Sequence, residues 1–420
     1  MKLNQDRLVD RFVKYARIDT QSDPESKATP STPGQLVLAT IVAEDMRQAG
    51  IADVQMMAEG FVFGTIPENL PENHPAKGKA PTLGFLAHFD TAGEAPGANV
   101  EPQFIKNYQG GAVRFPKNPE ITLTPDTTPH LKRCIGHTLI TSDGTTLLGG
   151  GDKAGIALLV ELAHACRENP EILHGKIRLA IIPDEEIGVG TEKLDLKTFS
   201  ADVAYTFDGG EMGEIDIESF NGFMGKVEVE GYAAFPGYGK GVYLNAIQVL
   251  SKFIAAMEDR RWPQNSDGRD PIWWIQSMEG KVARASAAVY LRDFDLQGIE
   301  KQKQILAGVR QQILKEFPKA KIAIDIDESY RNYKFLLEKD PRIVAYAEEA
   351  MRRIGIEPRK NYVRGGNDAC HLCVNGLLST NLFVGMQNMH SLAEWNTVES
   401  IEGALKTAIS LCGVWLDHSV

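Results

Sequence analysis

The stretch that decides the fold is LGFLAHFD, residues 83–90, an apolar run that ends in two potential metal ligands. Two later runs, 177–182 and 203–207, are equally apolar, and a stretch rich in Ala, Leu and Val at 155–167 lies between the first run and the second. Short apolar runs of this kind predict buried strands, and the Ala-rich stretch predicts a helix. The alternation favours an α/β layer with helices on both faces of a sheet.

Polar residues follow each of these three runs directly. His88 and Asp90 follow the first run, Glu185 and Glu186 the second, and Asp208 the third. The carboxyl ends of strands in an open α/β sheet are where sites assemble, so we expect these side chains to share one cleft.

Imidazoles and carboxylates in one cleft are typical of a metallohydrolase. Two divalent metals about 3.5–4 Å apart can clamp a carbonyl oxygen and activate a water, and they need such ligands. A further carboxylate must take the proton of the water. Glu185 and Glu186 are adjacent and project differently, so one of them can bind metal while the other faces the substrate.

The pattern of predicted strands and helices changes between residues 219 and 330. Strand patterns at 226–230, 287–291 and 321–326 enclose helical patterns at 244–257 and 299–316, which predicts an inserted α+β domain. We therefore predict a discontinuous catalytic domain, 1–218 with 331–420, and an inserted lid domain, 219–330. Near the start, the sequence predicts a helix at 33–49 with Thr32 and Gln35 as a capping box.

Composition limits the partners. The 420 residues carry a formal charge of −11, which disfavours nucleic acid and anionic membranes. The first residues show no signal-peptide pattern and no apolar run approaches membrane-spanning length, so we expect a cytoplasmic protein. The five cysteines do not form a disulfide framework, and Cys370 and Cys373 lack a second Cys/His pair for a structural zinc.

A series of motifs along nearly the whole chain resembles one family. The chain is similar to the peptidase T (tripeptide aminopeptidase) branch of the M20 metallopeptidases. The matching segments are RIDTQS (17–22), PSTPGQ (30–35), GFLAHFDT (84–91), NYQGG (107–111), TLITSDG (138–144), PDEE (183–186), YTFDGG (205–210), LRDFD (291–295), RGGND (364–368) and HSLAE (390–394). The resemblance implies a zinc-peptidase-like catalytic domain with a mixed central sheet and a ferredoxin-like α+β lid.

The resemblance also implies roles for particular residues. His88 and Asp208 would bind one metal, Glu186 and His390 the other. Zn²⁺ is the expected ion, as one or two ions, although other divalent metals would fit. Glu185 would be the general base, and Asp90 would orient His88.

In the lid, Arg292 and Asn245 would reach the substrate or its tetrahedral intermediate, and Arg364 would help to bind the substrate carboxylate. The substrate would be a small peptide, and the chain a monomer or a homodimer.

Two positions depart from the family pattern. The family has Asp as a metal bridge where this chain has Gly151, and a lid His where it has Phe235. Asp152 is adjacent to the first position, but neighbouring side chains point apart. Two alternatives therefore stay open: a working tripeptidase with a modified, even single-metal site, or a non-catalytic relative that binds peptide or one metal. Hydrolysis of another amide is disfavoured by residues 30–35 and 107–111.

Each residue also has a purely structural explanation. His390 could be an ordinary loop histidine, Glu185 and Glu186 an acidic pair at a helix start, and Asp208 a turn residue before Gly209 and Gly210.

Overall fold

The structure of the chain is a computed structural model that describes residues 2–419. The helices of eight or more residues, with the shorter α4, α7 and α9, are α1 Gln5–Ala16, α2 Pro33–Gln48, α3 Asp152–Glu168, α4 Leu196–Phe199, α5 Ala246–Ala255, α6 Leu296–Glu316, α7 Lys334–Leu337, α8 Arg342–Arg353, α9 Asp368–Val374 and α10 Val398–Asp417. The strands are β1 Ala52–Met56, β2 Val62–Ile66, β3 Leu83–His88, β4 Gln103–Ile105, β5 Val113–Phe115, β6 Asn118–Leu123, β7 Leu139–Thr141, β8 Ile177–Ile182, β9 Val203–Gly209, β10 Glu214–Ser219, β11 Asn221–Glu230, β12 Ile272–Lys281, β13 Arg284–Asp293, β14 Lys321–Tyr330, β15 Arg359–Val363, β16 Ser379–Phe383 and β17 Trp395–Thr397.

The largest sheet within residues 2–419 has eight strands in the order β1-β2-β8-β3-β9-β16-β10-β15. Its centre is parallel, because β8, β3, β9 and β16 all run in one direction. β2 and β10 pair antiparallel with the two sides of this centre. The sheet is therefore mixed, and the predicted α/β fold with a mixed central sheet is confirmed. Strands β3 and β16 are buried along their whole length, as parallel strands covered on both faces are.

Helix α3 lies very close to two of the parallel strands. A Cβ at Gly155 would be 2.3 Å from the carbonyl oxygen of Phe207 on β9 and 3.1 Å from Cβ of Ala87 on β3. Only glycine permits this approach of helix and strand. The contact places the N-terminus of α3 next to the residues that end β3 and β9.

Residues 221–330 form a smaller antiparallel sheet with the order β12-β13-β11-β14. Strands and helices alternate as β11-α5-β12-β13-α6-β14, which is the ferredoxin-like arrangement. The inner faces of the sheet and of both helices share one apolar core, which includes Val227, Leu250, Trp273, Val289 and Leu306. The α+β character expected for this segment is thus confirmed.

By its internal contacts the chain divides into two compact units. The first unit comprises Met1–Ile217, Phe335–Asn361 and Asn367–Val420, and the second comprises Glu218–Lys334 with Tyr362–Gly366. No helix among residues 2–419 is long and apolar enough to cross a membrane.

The predicted capping box at the start of α2 is not formed, so that prediction is wrong. The helix begins at Pro33 as expected, but within the described chain the Thr32 side chain makes no capping hydrogen bond. Gln35 instead donates from Nε2 to Asp184 Oδ1 at 2.7 Å. Gln35 also donates to Thr32 Oγ1 at 3.3 Å, but its Oε1 accepts the backbone N–H of Asp184 at 3.1 Å, so the oxygen that a capping box directs at the N-cap N–H is engaged elsewhere.

Candidate active site

The site lies in the first unit, where the four parallel strands end. His88 is the last residue of β3, Asp208 is near the end of β9, the Glu185–Glu186 pair follows β8, and His390 lies in the loop after β16. All four carboxyl ends therefore contribute. The apolar runs predicted the three ends at His88, the glutamates and Asp208, whereas the strand before His390 was not predicted.

Two side-chain pairs form at these strand ends. His88 Nε2 lies 3.4 Å from Asp208 Oδ2, and His390 Nε2 lies 3.0 Å from Glu186 Oε2. One ligand atom each of His88, Glu185 and Asp208 lies within 4.8 Å of the others. The structure thus brings together an imidazole with two carboxylates, and a second imidazole with a third carboxylate.

Asp90 connects the two halves of this arrangement. Its Oδ1 lies 3.3 Å from His88 Nδ1 and accepts the backbone N–H of Glu185 at 2.9 Å. Its Oδ2 accepts the backbone N–H of Glu186 at 3.0 Å. Asp90 is fully buried, so its carboxylate holds both the imidazole ring and the turn that carries the two glutamates.

The turn before the glutamates is held from the other side by Asp184. This residue has a φ of +58°, a left-handed conformation that Asp tolerates better than most residues. Its Oδ2 accepts the backbone N–H of Ser31 at 2.8 Å, and Oδ1 accepts the Gln35 amide. The segment before α2 therefore fixes the direction in which Glu185 and Glu186 project.

The electrostatics of the site favour bound positive charge. Burial would lower the pKa of His88, but the carboxylates of Asp208 and Asp90 outweigh it and raise that pKa well above its usual value. Burial likewise opposes the charge on His390, yet Glu186 raises its pKa to about 9. Burial, assisted by the carboxylate of Asp368, raises the pKa of Glu185 well above its usual range. Such strongly perturbed groups in one cleft are typical of functional sites.

Gly151 is the residue that precedes α3, at the point where that helix reaches the site. Asp152 begins the helix, but its carboxylate forms a buried ion pair with Lys153 Nζ at 2.9 Å. The structure thus does not bring Asp152 into the ligand cluster, and position 151 supplies no ligand atom.

Sequence reasoning assigned no role to three residues near the site: Glu394 and Asp368, which lie in matching motifs, and Met386, which lies in none of them. The buried carboxylate of Glu394 accepts the N–H groups of Leu148 at 3.0 Å and Gly150 at 2.6 Å, and so holds the glycine-rich loop before α3. Asp368 starts α9, and burial raises its pKa to about 7. Met386 packs against Gly151. The HSLAE and RGGND motifs were the signal for Glu394 and Asp368, whereas an apolar Met gives none.

The remaining predicted residues lie in the second unit. Asn245 caps α5, where its Oδ1 accepts the N–H of Ile247 at 3.0 Å. Arg292 donates from Nη1 to the carbonyl oxygens of Phe223 and Leu291, both at 3.0 Å. Its guanidinium lies over the rings of Trp274, Tyr290 and Tyr330.

Arg364 and Phe235 differ in how firmly they are held. Arg364 donates from Nη2 to Ser266 Oγ at 2.7 Å and lies over the Phe220 ring. Phe235 is 72% exposed, with its ring 5.8 Å from that of Tyr238.

The residues of the first unit fit a divalent metal. His88 Nε2 is buried and, among residues 2–419, has no hydrogen-bond partner, although Asp208 faces it. An imidazole nitrogen without a donor or acceptor, beside two carboxylates and oriented by a third, is the ligand set that zinc takes in proteins.

The chain is similar to known peptidases over most of its length. The profile of Peptidase family M20/M25/M40 matches residues 142–412. Peptidase T of Geobacillus thermodenitrificans (strain NG80-2) is 38% identical over 404 residues, which cover 96% of this chain and 97% of that protein. The crystal structure of a tripeptidase from Staphylococcus aureus subsp. aureus Mu50 superposes with a TM-score of 0.76 at 21% identity, over 99% of both chains. Aminopeptidase PepT from Bacillus cereus ATCC 10987 gives a TM-score of 0.72 at 22% identity, over 98% of this chain and 99% of that one.

The chain belongs to peptidase family M20. Curated relatives that match nearly its full length include Peptidase T proteins at 36–38% identity, so the resemblance seen in the motifs is confirmed.

Proposed function

We propose that the chain is a metal-dependent aminopeptidase that releases the N-terminal residue from tripeptides. The observation that carries the proposal is the convergence of His88 with Asp208, and of His390 with Glu186, around Glu185 at one edge of the sheet. The peptidase and tripeptidase activities named for the relatives supply the substrate class.

In this proposal Zn²⁺ would be held as one or two ions, with His88 and Asp208 as one ligand pair and Glu186 and His390 as the other. A bound divalent ion would polarise the scissile carbonyl and lower the pKa of a water. Glu185 would accept a proton from the attacking water and return it to the leaving amine. Burial and the nearby Asp368 raise the pKa of Glu185, which makes it a stronger base than an exposed carboxylate.

Asp90 acts in the proposal as a positioning residue. Its contact with His88 Nδ1 leaves Nε2 as the ligand nitrogen, and its contacts with two backbone N–H groups orient the glutamates. In the second unit, Arg364 would bind the substrate carboxylate, and Arg292 and Asn245 would contact the substrate or its intermediate as residues of a lid.

A non-catalytic relative that binds peptide or a single metal is the second candidate. Two observations favour it: Gly151 supplies no bridging ligand, and Phe235 cannot donate a hydrogen bond to an oxyanion. The absence of one such donor typically reduces the rate about 10²–10³-fold. The intact set of His88, Asp90 and Glu185 favours the peptidase.

Hydrolysis of a tripeptide by the zinc-loaded protein tests the proposal, with Glu185→Gln as the decisive variant. We expect the native chain to release the N-terminal residue and the variant to lose that activity while it still binds zinc. Glu171→Gln, at an exposed position, is the matched control and should keep full activity. If the native chain bound zinc but did not hydrolyse the tripeptide, the proposed peptidase would be rejected in favour of the non-catalytic binding protein.

A further inference from the structure

The side chain of Met386 fills the space in front of Gly151. A Cβ at position 151 would be 2.8 Å from both Sδ and Cε of Met386, and 2.4 Å from Oδ1 of Asp208. Distances below 3.0 Å are not compatible with a real side chain, so any residue larger than glycine must displace these atoms. A side chain at position 151 would therefore project towards Asp208, through the volume that the thioether occupies.

The backbone on both sides of Met386 is tightly held. Gly385 has a φ of +106°, and its N–H donates to the carbonyl of Gly210 at 2.8 Å. Gln387 exchanges two backbone hydrogen bonds with Trp395, at 2.9 and 3.1 Å. Because its neighbours are fixed, Met386 has little freedom to move its Cα away from Gly151. Its side chain is also buried, with 7% exposure, so it has no open solvent to turn into.

A thioether is a poor substitute for a bridging carboxylate. It carries no charge, accepts hydrogen bonds weakly and suits soft ions better than Zn²⁺. The contact of Met386 with position 151 therefore replaces a possible anionic ligand with an apolar group. The ligands that remain are divided between His88 with Asp208 and Glu186 with His390, and no carboxylate at position 151 connects them.

We propose that Gly151 and Met386 are a matched pair that limits this site to one tightly held divalent ion. Glycine alone removes the bridging ligand, and Met386 closes the space that a restored ligand would need. The proposal rests on the proposed function only in taking the site to bind a divalent metal. It makes no assumption about hydrolysis.

Four proteins test the pair: the native chain, Gly151→Asp, Met386→Ala, and the double variant. Each is saturated with Zn²⁺ and dialysed, its zinc content is measured by mass spectrometry, and its affinities are measured by calorimetric titration. We expect one ion per chain in the native protein and in both single variants, and two in the double variant. Since the loss of an outer contact to a ligand already weakens metal binding about 10–100-fold, we expect the second ion to bind at least about 100-fold more tightly in the double variant than in Gly151→Asp alone.

Met386→Leu separates the two ways in which the methionine could act. Leucine keeps the bulk and removes the sulfur, so Gly151→Asp with Met386→Leu should still hold one ion. Circular dichroism and thermal melting confirm that every variant is folded. Two tightly held ions in the native chain, or in Gly151→Asp alone, would overturn the proposal. A weaker first ion in Met386→Leu would overturn it as well, because the sulfur would then be a ligand.

Tripeptide hydrolysis measured on the same proteins keeps this proposal distinct from the proposed function. A change from one ion to two in the double variant, without turnover by any protein, would support the matched pair and reject the peptidase. Turnover by the native chain with two bound ions would support the peptidase and reject the matched pair.

Discussion

Asp90 shows how much of the site depends on a single carboxylate. It contacts the imidazole of His88 and accepts two backbone N–H groups from the turn after β8. These contacts join the ends of two adjacent parallel strands, β3 and β8. The ring and the glutamates are therefore positioned together and not independently.

Replacement of Asp90 by Ala should weaken metal binding and activity together. The His88 ring loses its orienting partner, and two buried N–H groups lose their acceptor, so we expect about 10–100-fold weaker zinc binding. Calorimetric titration with zinc measures the effect. Asp126→Ala, at an exposed position, is the control and should bind zinc as the native chain does. Unchanged affinity in Asp90→Ala would show that the ring is held by other contacts.

The sequence nominated the residues at strand ends but not the residues that hold them. His88, Glu185 and Asp208 follow apolar runs, so the strand pattern alone placed them near one another. The contact of Glu394 with the loop at Gly150 joins positions 244 residues apart, and no local pattern encodes it. Met386 was missed for a different reason, since an apolar residue near a polar site carries no chemical signal.

Strand β10 also helps to hold a candidate ligand in place, although it carries no ligand itself. Asp216 on this strand is fully buried between two amides, accepting from Asn361 Nδ2 and from Asn381 Nδ2, both at 2.9 Å. Asn381 on β16 in turn accepts the backbone N–H of Asp208 at 3.1 Å. A carboxyl group on the antiparallel side of the sheet thus supports the strand end that carries a candidate ligand.

The buried Asp216 predicts a pH-dependent stability. Burial raises its pKa from 3.8 to about 6, in spite of hydrogen bonds from Asn361 and Asn381. Because the folded-state pKa is the higher one, the folded state binds the proton more tightly. The resulting stabilisation is complete below pH 3.8 and is lost as the pH rises through about 6. Relative to Asp216→Asn, the native chain should therefore lose about 1 kcal/mol of unfolding free energy between pH 5 and pH 7.5.

Urea unfolding of both proteins at the two pH values measures this difference. Asp126→Asn, an exposed substitution, should show the same pH dependence as the native chain. A constant difference between native protein and Asp216→Asn across the range would mean that Asp216 titrates normally in the folded state.

Elements with a strong apolar pattern were predictable, and those with a mixed one were not. The strands β3, β8 and β9 and the helix α2 lie within one or two residues of the predicted ranges. Strand β12 was not predicted, because its second half, from Gln276 to Lys281, is exposed and has no alternation of apolar and polar residues. The backbone hydrogen bonds to β13 hold this segment as a strand, although its own sequence has no strand pattern. The failed capping box has the same origin, since the partner of Gln35 is 149 residues away.

At the scale of the whole molecule, each unit has a core of its own. The core of the second unit is formed by residues from its sheet and its two helices, with Leu250 and Trp273 fully buried. In the first unit, Leu86 and Phe199 belong to a separate cluster beside the central sheet. The candidate ligands all lie in the first unit. A metal bound at these ligands would therefore stabilise the first unit, and the packing of the second core would stabilise the second unit.

This separation predicts that the two units unfold in distinguishable steps. Leu250→Ala removes a buried side chain from the second core and should destabilise that step by about 2–5 kcal/mol. The zinc of the proposed function would bind the first unit, so at about 100 times its dissociation constant it should stabilise the other step by about 2.7 kcal/mol. Differential scanning calorimetry of the native chain and of Leu250→Ala, with and without zinc, resolves the two effects. Leu86→Ala is the matched substitution in the first unit and should lower the zinc-sensitive step instead. A single transition that responds to zinc and to both substitutions alike would show that the two cores unfold together.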